Sequence, residues 1–245
     1  MKEDQTTRIC LWASPRNIST ALMYSFAQRS DTEVVDEPFY GFYLSHTSAK
    51  AYHPGAVEIM QAMENDGHTV IRTMMGPQDK PVVFYKNMTH HMLDLDISFT
   101  SKVVNIILTR EPLQMINSFS KVVEKPMMKD VGYQAQVDLL NYFKKIGATF
   151  MVIDASDILL NPHKALDAMC RKARIEFQPA MLSWNAGRKK EDGIWAKYWY
   201  GNVHQSTGFE VYEEKKIEVS DALKPLVKRC EPLYNYLKKH FELGK

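Results

Sequence analysis

Three stretches of this chain, residues 82–85, 103–108 and 149–153, are nearly continuous apolar runs. That is the pattern of strands buried on both faces of a parallel sheet. Two more β-rich runs, 7–12 and 32–35, come before them, and helical patterns lie between. Residues 19–28 carry Leu22, Met23 and Phe26, and residues 112–123 carry Met115, Ile116 and Phe119 behind a first-turn Pro112. Residues 133–146 repeat Tyr133, Val137, Leu140 and Phe143 and stop at Gly147. Asn161-Pro162 opens another helix, and a C-terminal helical period runs from Leu223 to Phe241, broken or kinked by Pro232. Alternation of this kind predicts a three-layer, doubly wound α/β fold: a central, mostly parallel sheet of about five strands with helices on both faces. At 245 residues the chain suits one domain spanning 1–245.

Ligands of such sheets bind outside the carboxyl ends of the strands. That rule directs attention to residues 14–21, 36–43, 86–91, 109–118 and 154–157. Composition removes several function classes. The 31 basic and 29 acidic residues leave a net charge of +2, with no electrostatic footprint for nucleic acid. No apolar run is long enough to span a bilayer, and Met1–Gln5 is charged with no signal-length stretch behind it. Cys10, Cys170 and Cys230 match neither a zinc site nor a redox pair, so buried thiols in a cytoplasmic protein are expected. Two glycosylation-type triplets, at Asn17 and Asn87, directly follow predicted strands and read as chance matches. Glycine is scarce: there are 11, and the first is Gly41.

The segment Leu11-Trp12-Ala13-Ser14-Pro15-Arg16-Asn17-Ile18-Ser19-Thr20-Ala21 reads as a strand, a turn and a helix start. Unpaired N–H groups and the helix dipole favour an anion there, with Arg16 adding charge and Ser19 and Thr20 adding hydroxyls. A second strand exit holds Arg110, Pro112 and, eight residues after the arginine, Ser118. Its guanidinium is able to hold a phosphate bidentately.

Together these segments resemble the sulfotransferases that use 3′-phosphoadenosine 5′-phosphosulfate (PAPS). Pro15, Arg16 and Ser19-Thr20 fall on the family's 5′-phosphosulfate loop, T-Y-P-K-S-G-T-T-W. Arg110, Pro112 and Ser118 fall on its 3′-phosphate element. The resemblance implies PAPS as donor, the bisphosphate PAP as product, and donor-binding roles for Arg16, Asn17, Ile18, Ser19, Thr20, Ala21, Arg110 and Ser118. The family's glycine is replaced by Ile18, a β-branched residue that resists positive φ, so this loop is expected to keep ordinary backbone angles. Residues 187–195 look like a divergent form of the family's late loop over the 3′-phosphate and adenine, which points to Arg188, Gly193 and Trp195. The stretch from Asp154 to Pro162 resembles a mainly structural family element after the last strand.

Sulfuryl transfer needs a proton acceptor, stabilisation of the leaving phosphate and in-line positioning, and no metal. Glu37, in Asp36-Glu37-Pro38-Phe39-Tyr40, lands on the glutamate base of carbohydrate-type members, with Asp36 as an orienting or structural neighbour. Lys86, after the third strand, is placed like the family's post-strand lysine that neutralises the leaving phosphate. His91, with His90 beside it, is the alternative base. The expected activity is transfer to a hydroxyl or amine of a small organic acceptor. Neither nucleic acid nor a membrane is expected as a partner, and a homo-oligomer stays open. Two other readings compete with this one. A P-loop kinase or NTPase would need G-x-x-x-x-G-K-[ST], which the sequence lacks. A non-catalytic PAP-binding module would have no need of both Glu37 and Lys86.

Overall fold

The computed structural model describes residues 6–210 and 217–243. The charged start Met1–Gln5 lies outside the described residues, as do residues 211–212, the end of a stretch from 185 that reads in sequence as a long structured loop with six aromatics. Five strands, β1 (Thr7–Ala13), β2 (Thr32–Asp36), β3 (Val82–Met88), β4 (Val104–Thr109) and β5 (Phe150–Asp154), form one sheet in the order β2-β3-β1-β4-β5. All four pairings are parallel.

Before β3 the helices are α1 (Ser19–Ala27), α2 (Tyr40–His46), α3 (Ala56–Ala62) and α4 (Gly67–Met75). Between β4 and β5 come α5 (Pro112–Phe119), α6 (Met128–Val131) and α7 (Tyr133–Ile146). After β5 follow α8 (Ala155–Leu160), α9 (Pro162–Lys172), α10 (Ala196–Trp199) and α11 (Lys224–Lys238). None of these helices is long and apolar enough to cross a membrane.

Alternation along each strand builds two cores. Cys10, Trp12, Val83, Tyr85, Ile107 and Val152 pack with α4, α5, α7 and α11. Their sequence neighbours Ile9, Leu11, Val82, Phe84, Ile106 and Met151 pack with α1, α8 and α9. This is the three-layer arrangement expected from period-2 burial on both faces. A third cluster joins Tyr40, Tyr43 and Leu44 of α2 to Ile59 of α3 and to Trp195, Ala196 and Tyr200.

The structure corrects the sequence reading in four places. β3 runs to Met88, so Lys86 and Asn87 belong to the strand itself. A lysine is tolerated there because its charge is matched by two carboxylates. Helices α2, α3 and α4 fill the interval between β2 and β3, where the sequence pattern assigns no helix. α5 ends at Phe119, short of residue 123. α11 continues through Pro232, so of the break and the kink expected there the break does not occur. Both Pro232 and Lys228, four residues earlier, face solvent, so water can satisfy the carbonyl that proline frees. Asn17 and Asn87 are fully buried, which leaves no room for a glycan.

Candidate active site

A cavity of about 360 Å³ opens at the carboxyl ends of β1, β3 and β4. Its wall brings together Arg16 to Ala21, Glu37, Lys86, His91, Arg110 and Ser118, which four of the five strand exits supply. Arg188, Gly193 and Trp195 are not on that wall. Arg188 is exposed on the surface, and Trp195 is buried in the third cluster. The same loop reaches the cavity further along, through Trp199, Tyr200, Val203 and Phe209.

The turn between β1 and α1 contradicts the expectation of ordinary backbone angles. Ile18 lies in the left-handed region at φ 65°, ψ 15°, and Arg16 has φ 57°. Left-handed residues cost on the order of 1–3 kcal/mol each and persist only where surrounding contacts hold them. Those contacts are present. Asn17, completely buried, donates from Nδ2 to the Leu108 carbonyl of β4 at 2.6 Å. Arg110 donates from Nη1 to the Arg16 carbonyl at 2.8 Å, and the Tyr133 hydroxyl fixes the Arg110 carbonyl at 2.6 Å. The chain must turn from strand to helix between Ala13 and Ser19, and without glycine it takes the conformation that glycine usually supplies.

The helix that follows differs from its counterpart after β4. Glu111 caps α5 by accepting from the N–H groups of Leu113 and Gln114. No side chain caps α1, and Ser19, Thr20 and Ala21 of its first turn lie on the cavity wall. Unclaimed N–H groups and the helix dipole therefore face the cavity. Arg16 adds a cation beside them. Its Nε donates to the Ser118 hydroxyl at 3.2 Å and its Nη1 to the Trp199 carbonyl at 3.3 Å. Burial first, and the charge of Arg110 second, push its pKa below the ordinary guanidinium value.

Across the cavity, Lys86 is 1% exposed. Its ammonium contacts Asp36 Oδ1 at 2.9 Å, the Tyr200 hydroxyl at 2.7 Å and Glu37 Oε1 more closely still. Asp36 and Lys86 are register partners on β2 and β3. Glu37, the next residue, would ordinarily point to the opposite face. Its φ of 43° turns it back, so consecutive carboxylates meet one ammonium while the Glu37 N–H still bonds the Lys86 carbonyl at 2.8 Å. Burial works to lower the Lys86 pKa, but Asp36 and Glu37 outweigh it and raise it. Burial raises Glu37 above the ordinary glutamate value; Lys86 opposes this and Asp36 adds to it. One cation thus serves two carboxylates.

His91 stands beside this group, with Nδ1 4.0 Å from Glu37 Oε2. Its ring is stacked between Tyr40 and Tyr43, with centroids 4.8 and 4.5 Å away. Burial holds it well below the ordinary histidine value and therefore neutral. The Tyr40 hydroxyl shares a hydrogen bond with His53 Nδ1 at 2.8 Å. Burial lowers His53 to about 4 and His90 to about 3. This lobe is aromatic and uncharged.

The sequence reading missed Tyr200 and gave Asp36 only a supporting part. Asp36 accepts from Lys86, from the Tyr200 hydroxyl at 2.8 Å and from the Gly193 N–H at 3.0 Å. The aromatic run around Trp195 to Tyr200 was the available signal, but nothing local ties it to residues over 150 positions earlier.

Residues 7–240 match the family described as Sulfotransferase domain. The chain is 35% identical over 233 residues to Branched-chain-amino-acid aminotransferase-like protein 2 of Arabidopsis thaliana, and 37% identical over 231 residues to protein 1 of that name. Each match covers 94% of this chain but 41% of the relative, so the chain spans about two fifths of the curated relatives it matches. Among solved structures it resembles the Sulfotransferase Domain from the Curacin Biosynthetic Pathway, with a TM-score of 0.57 and 15% identity, covering 97% of this chain and 99% of that one. It also resembles a sulfotransferase from Alicyclobacillus acidocaldarius, with a TM-score of 0.54 and 10% identity over 97% of both chains. At those identities the likeness is one of fold. The α/β sheet and the match across nearly the whole chain lead to one conclusion: this chain belongs to the sulfotransferase domain family.

Proposed function

We propose that the chain transfers the sulfuryl group of PAPS to a hydroxyl or amine of a small organic acceptor and releases PAP. The observation that carries this reading is the convergence on one cavity of an uncapped helix start, Arg16, Arg110 and Ser118 with the Glu37–Lys86 pair. The first turn of α1 and Arg16 would receive the 5′-phosphosulfate, and Arg110 with Ser118 the 3′-phosphate. In the reaction, the bond between sulfur and the bridging phosphate oxygen breaks as a bond from sulfur to the acceptor oxygen or nitrogen forms. Glu37 takes the acceptor proton. Protonation of Glu37 releases its share of the Lys86 ammonium, which then stabilises the negative charge that grows on the departing oxygen. His91, neutral and 4.0 Å from Glu37, is the alternative proton acceptor.

The neutral lobe around Tyr40, His53, His91 and Trp199 favours a small organic acceptor over a polyanionic one, because it offers ring faces and no cation cluster. Cytoplasmic residence belongs to the same reading and is supported by three buried, free cysteines.

The test is thermal unfolding with PAP against ATP, since a ligand that binds only the folded state raises the midpoint. A rise with PAP is expected, and a rise with ATP alone would sink the proposal. Glu37→Gln should then lower turnover by about 10²–10⁴-fold while PAP binding survives. Full activity in that variant would pass the proton to His91.

A further inference from the structure

The Lys86 ammonium has three hydrogens, and all three are taken, by Asp36, Glu37 and the Tyr200 hydroxyl. The direction of the Tyr200 bond follows from its neighbours. An ammonium and an indole N–H can only donate, so the hydroxyl accepts from Lys86 at 2.7 Å and from Trp195 Nε1 at 3.2 Å. Its single hydrogen must therefore go to Asp36, whose two oxygens lie 2.9 and 2.8 Å away. Tyr200 holds that proton firmly, because burial, then Asp36 and then Glu37 raise its phenol well above the ordinary value.

We infer that Tyr200 is a positioning residue whose hydroxyl fixes how Lys86 is divided between Asp36 and Glu37, and through that division sets the proton affinity of Glu37. Asp36 is satisfied partly by a neutral donor, so it draws less on the ammonium and leaves more of it to Glu37. Without the hydroxyl, Asp36 would claim a larger share. Glu37, buried and facing a second carboxylate, would then accept a proton at higher pH. The groups that face Glu37 are Asp36 from β2, Lys86 from β3, His91 from the turn after β3, Tyr40 from α2 and Tyr200 from the late loop. His53 and His90 lie behind His91, and burial keeps both neutral. Among these groups, Asp36 is the charged competitor for Lys86, and the Tyr200 oxygen takes a third hydrogen of the same ammonium. Tyr200 satisfies Asp36 without charge and also acts on Glu37 directly, in the same direction, by lowering its proton affinity.

The consequence for turnover rests on the reading of Glu37 as proton acceptor, but the test does not. Titration of the Glu37 carboxyl in the full chain can be followed by infrared difference spectroscopy, with the Glu37→Gln spectrum subtracted. Tyr200→Phe should raise the midpoint by about one pH unit, tenfold in proton affinity. Asp36→Asn removes the competitor and should lower it by a similar amount. Trp195→Phe keeps a smaller aromatic ring but removes the N–H that polarises the hydroxyl. It should give a smaller rise, and it serves if Tyr200→Phe fails to fold. A general loosening of the site would move Tyr200→Phe and Asp36→Asn in the same direction or not at all, and either result overturns the inference. PAPS-dependent activity with an unmoved Glu37 midpoint overturns the inference alone. No PAP binding with opposite shifts in the two variants overturns the proposed function alone.

Discussion

Arg16 and Lys86 line the same cavity, the first half-buried and the second fully buried, yet their charges are treated in opposite ways. Lys86 is enclosed by two carboxylates and a phenol. Arg16, among the described residues, meets a serine hydroxyl and a backbone carbonyl, with Arg110 near enough to disfavour its charge. A buried cation needs a counter-charge. The protein supplies one for Lys86, whereas the surroundings of Arg16 favour an anion brought by the ligand. One wall is complete without a ligand and the other gains from one.

The largest expected effect breaks the complete side. Lys86→Met should destabilise the protein by about 3–5 kcal/mol at neutral pH, because it leaves Asp36 and Glu37 buried without a cation. Urea unfolding measures this. Acidification should recover much of the loss, since carboxylates with raised folded pKa values bind more protons in the folded state, and stability then rises as pH falls. A loss under about 1 kcal/mol would show that Lys86 is not the counter-charge.

On the other side the cost should fall on binding. Arg16→Ala should weaken PAP by on the order of 10–100-fold, the range of a charge-assisted hydrogen bond, and change stability by less than about 1 kcal/mol. Calorimetry and unfolding together decide it, and the reverse pattern would cancel the contrast with Lys86.

The neutral lobe predicts a third behaviour. His53 and His90, lowered to about 4 and about 3, stay uncharged in the folded protein while their unfolded counterparts titrate near 6.5. The unfolded state binds more protons in that interval, so stability should fall as pH drops from about 6.5 towards those values. His53→Gln should flatten the decline, and an unchanged slope would remove His53 from the account. The smallest effect concerns the β1–α1 turn. Ile18→Gly relieves left-handed strain while losing partly buried apolar surface, and the two should cancel to within about 1 kcal/mol. A loss above 2 kcal/mol, as for an isoleucine in relaxed backbone, would mean that the strain is small.

Much of this was legible because its causes are local. Runs such as Ile106–Ile107–Leu108 leave a strand little choice but double-sided burial, and β5 starts one residue after the reading placed it. The two arginine-bearing strand exits were readable as parts of one cavity wall because arginine, proline and serine stand at fixed distances along single segments. Ile18 misled, since its β-branch argues against the left-handed region and the contacts that hold it there come from β4 and Arg110. Arg188, expected over the donor, lies off the cavity wall for a related reason. Charge marks a segment as polar but not which way it faces. In the fold Lys189 turns to the Asn185 carbonyl and the Tyr24 ring, while Asp192 pins the loop to Tyr24. Tyr200 was silent because its partners lie 114 and 164 residues away in sequence.

The register of Asp36 against Lys86 limits how such a chain can change in length. An insertion or deletion of one residue within β2 or β3 would turn one partner to the opposite face of the sheet and separate the pair completely. The 45 residues between β2 and β3, which include α2, α3 and α4, are under no such constraint at the exposed turns that join those helices. Length variation should therefore gather in the joints of that segment. The two strands would keep their counts, and new acceptor preferences would arise from lengthened turns around an unaltered pair.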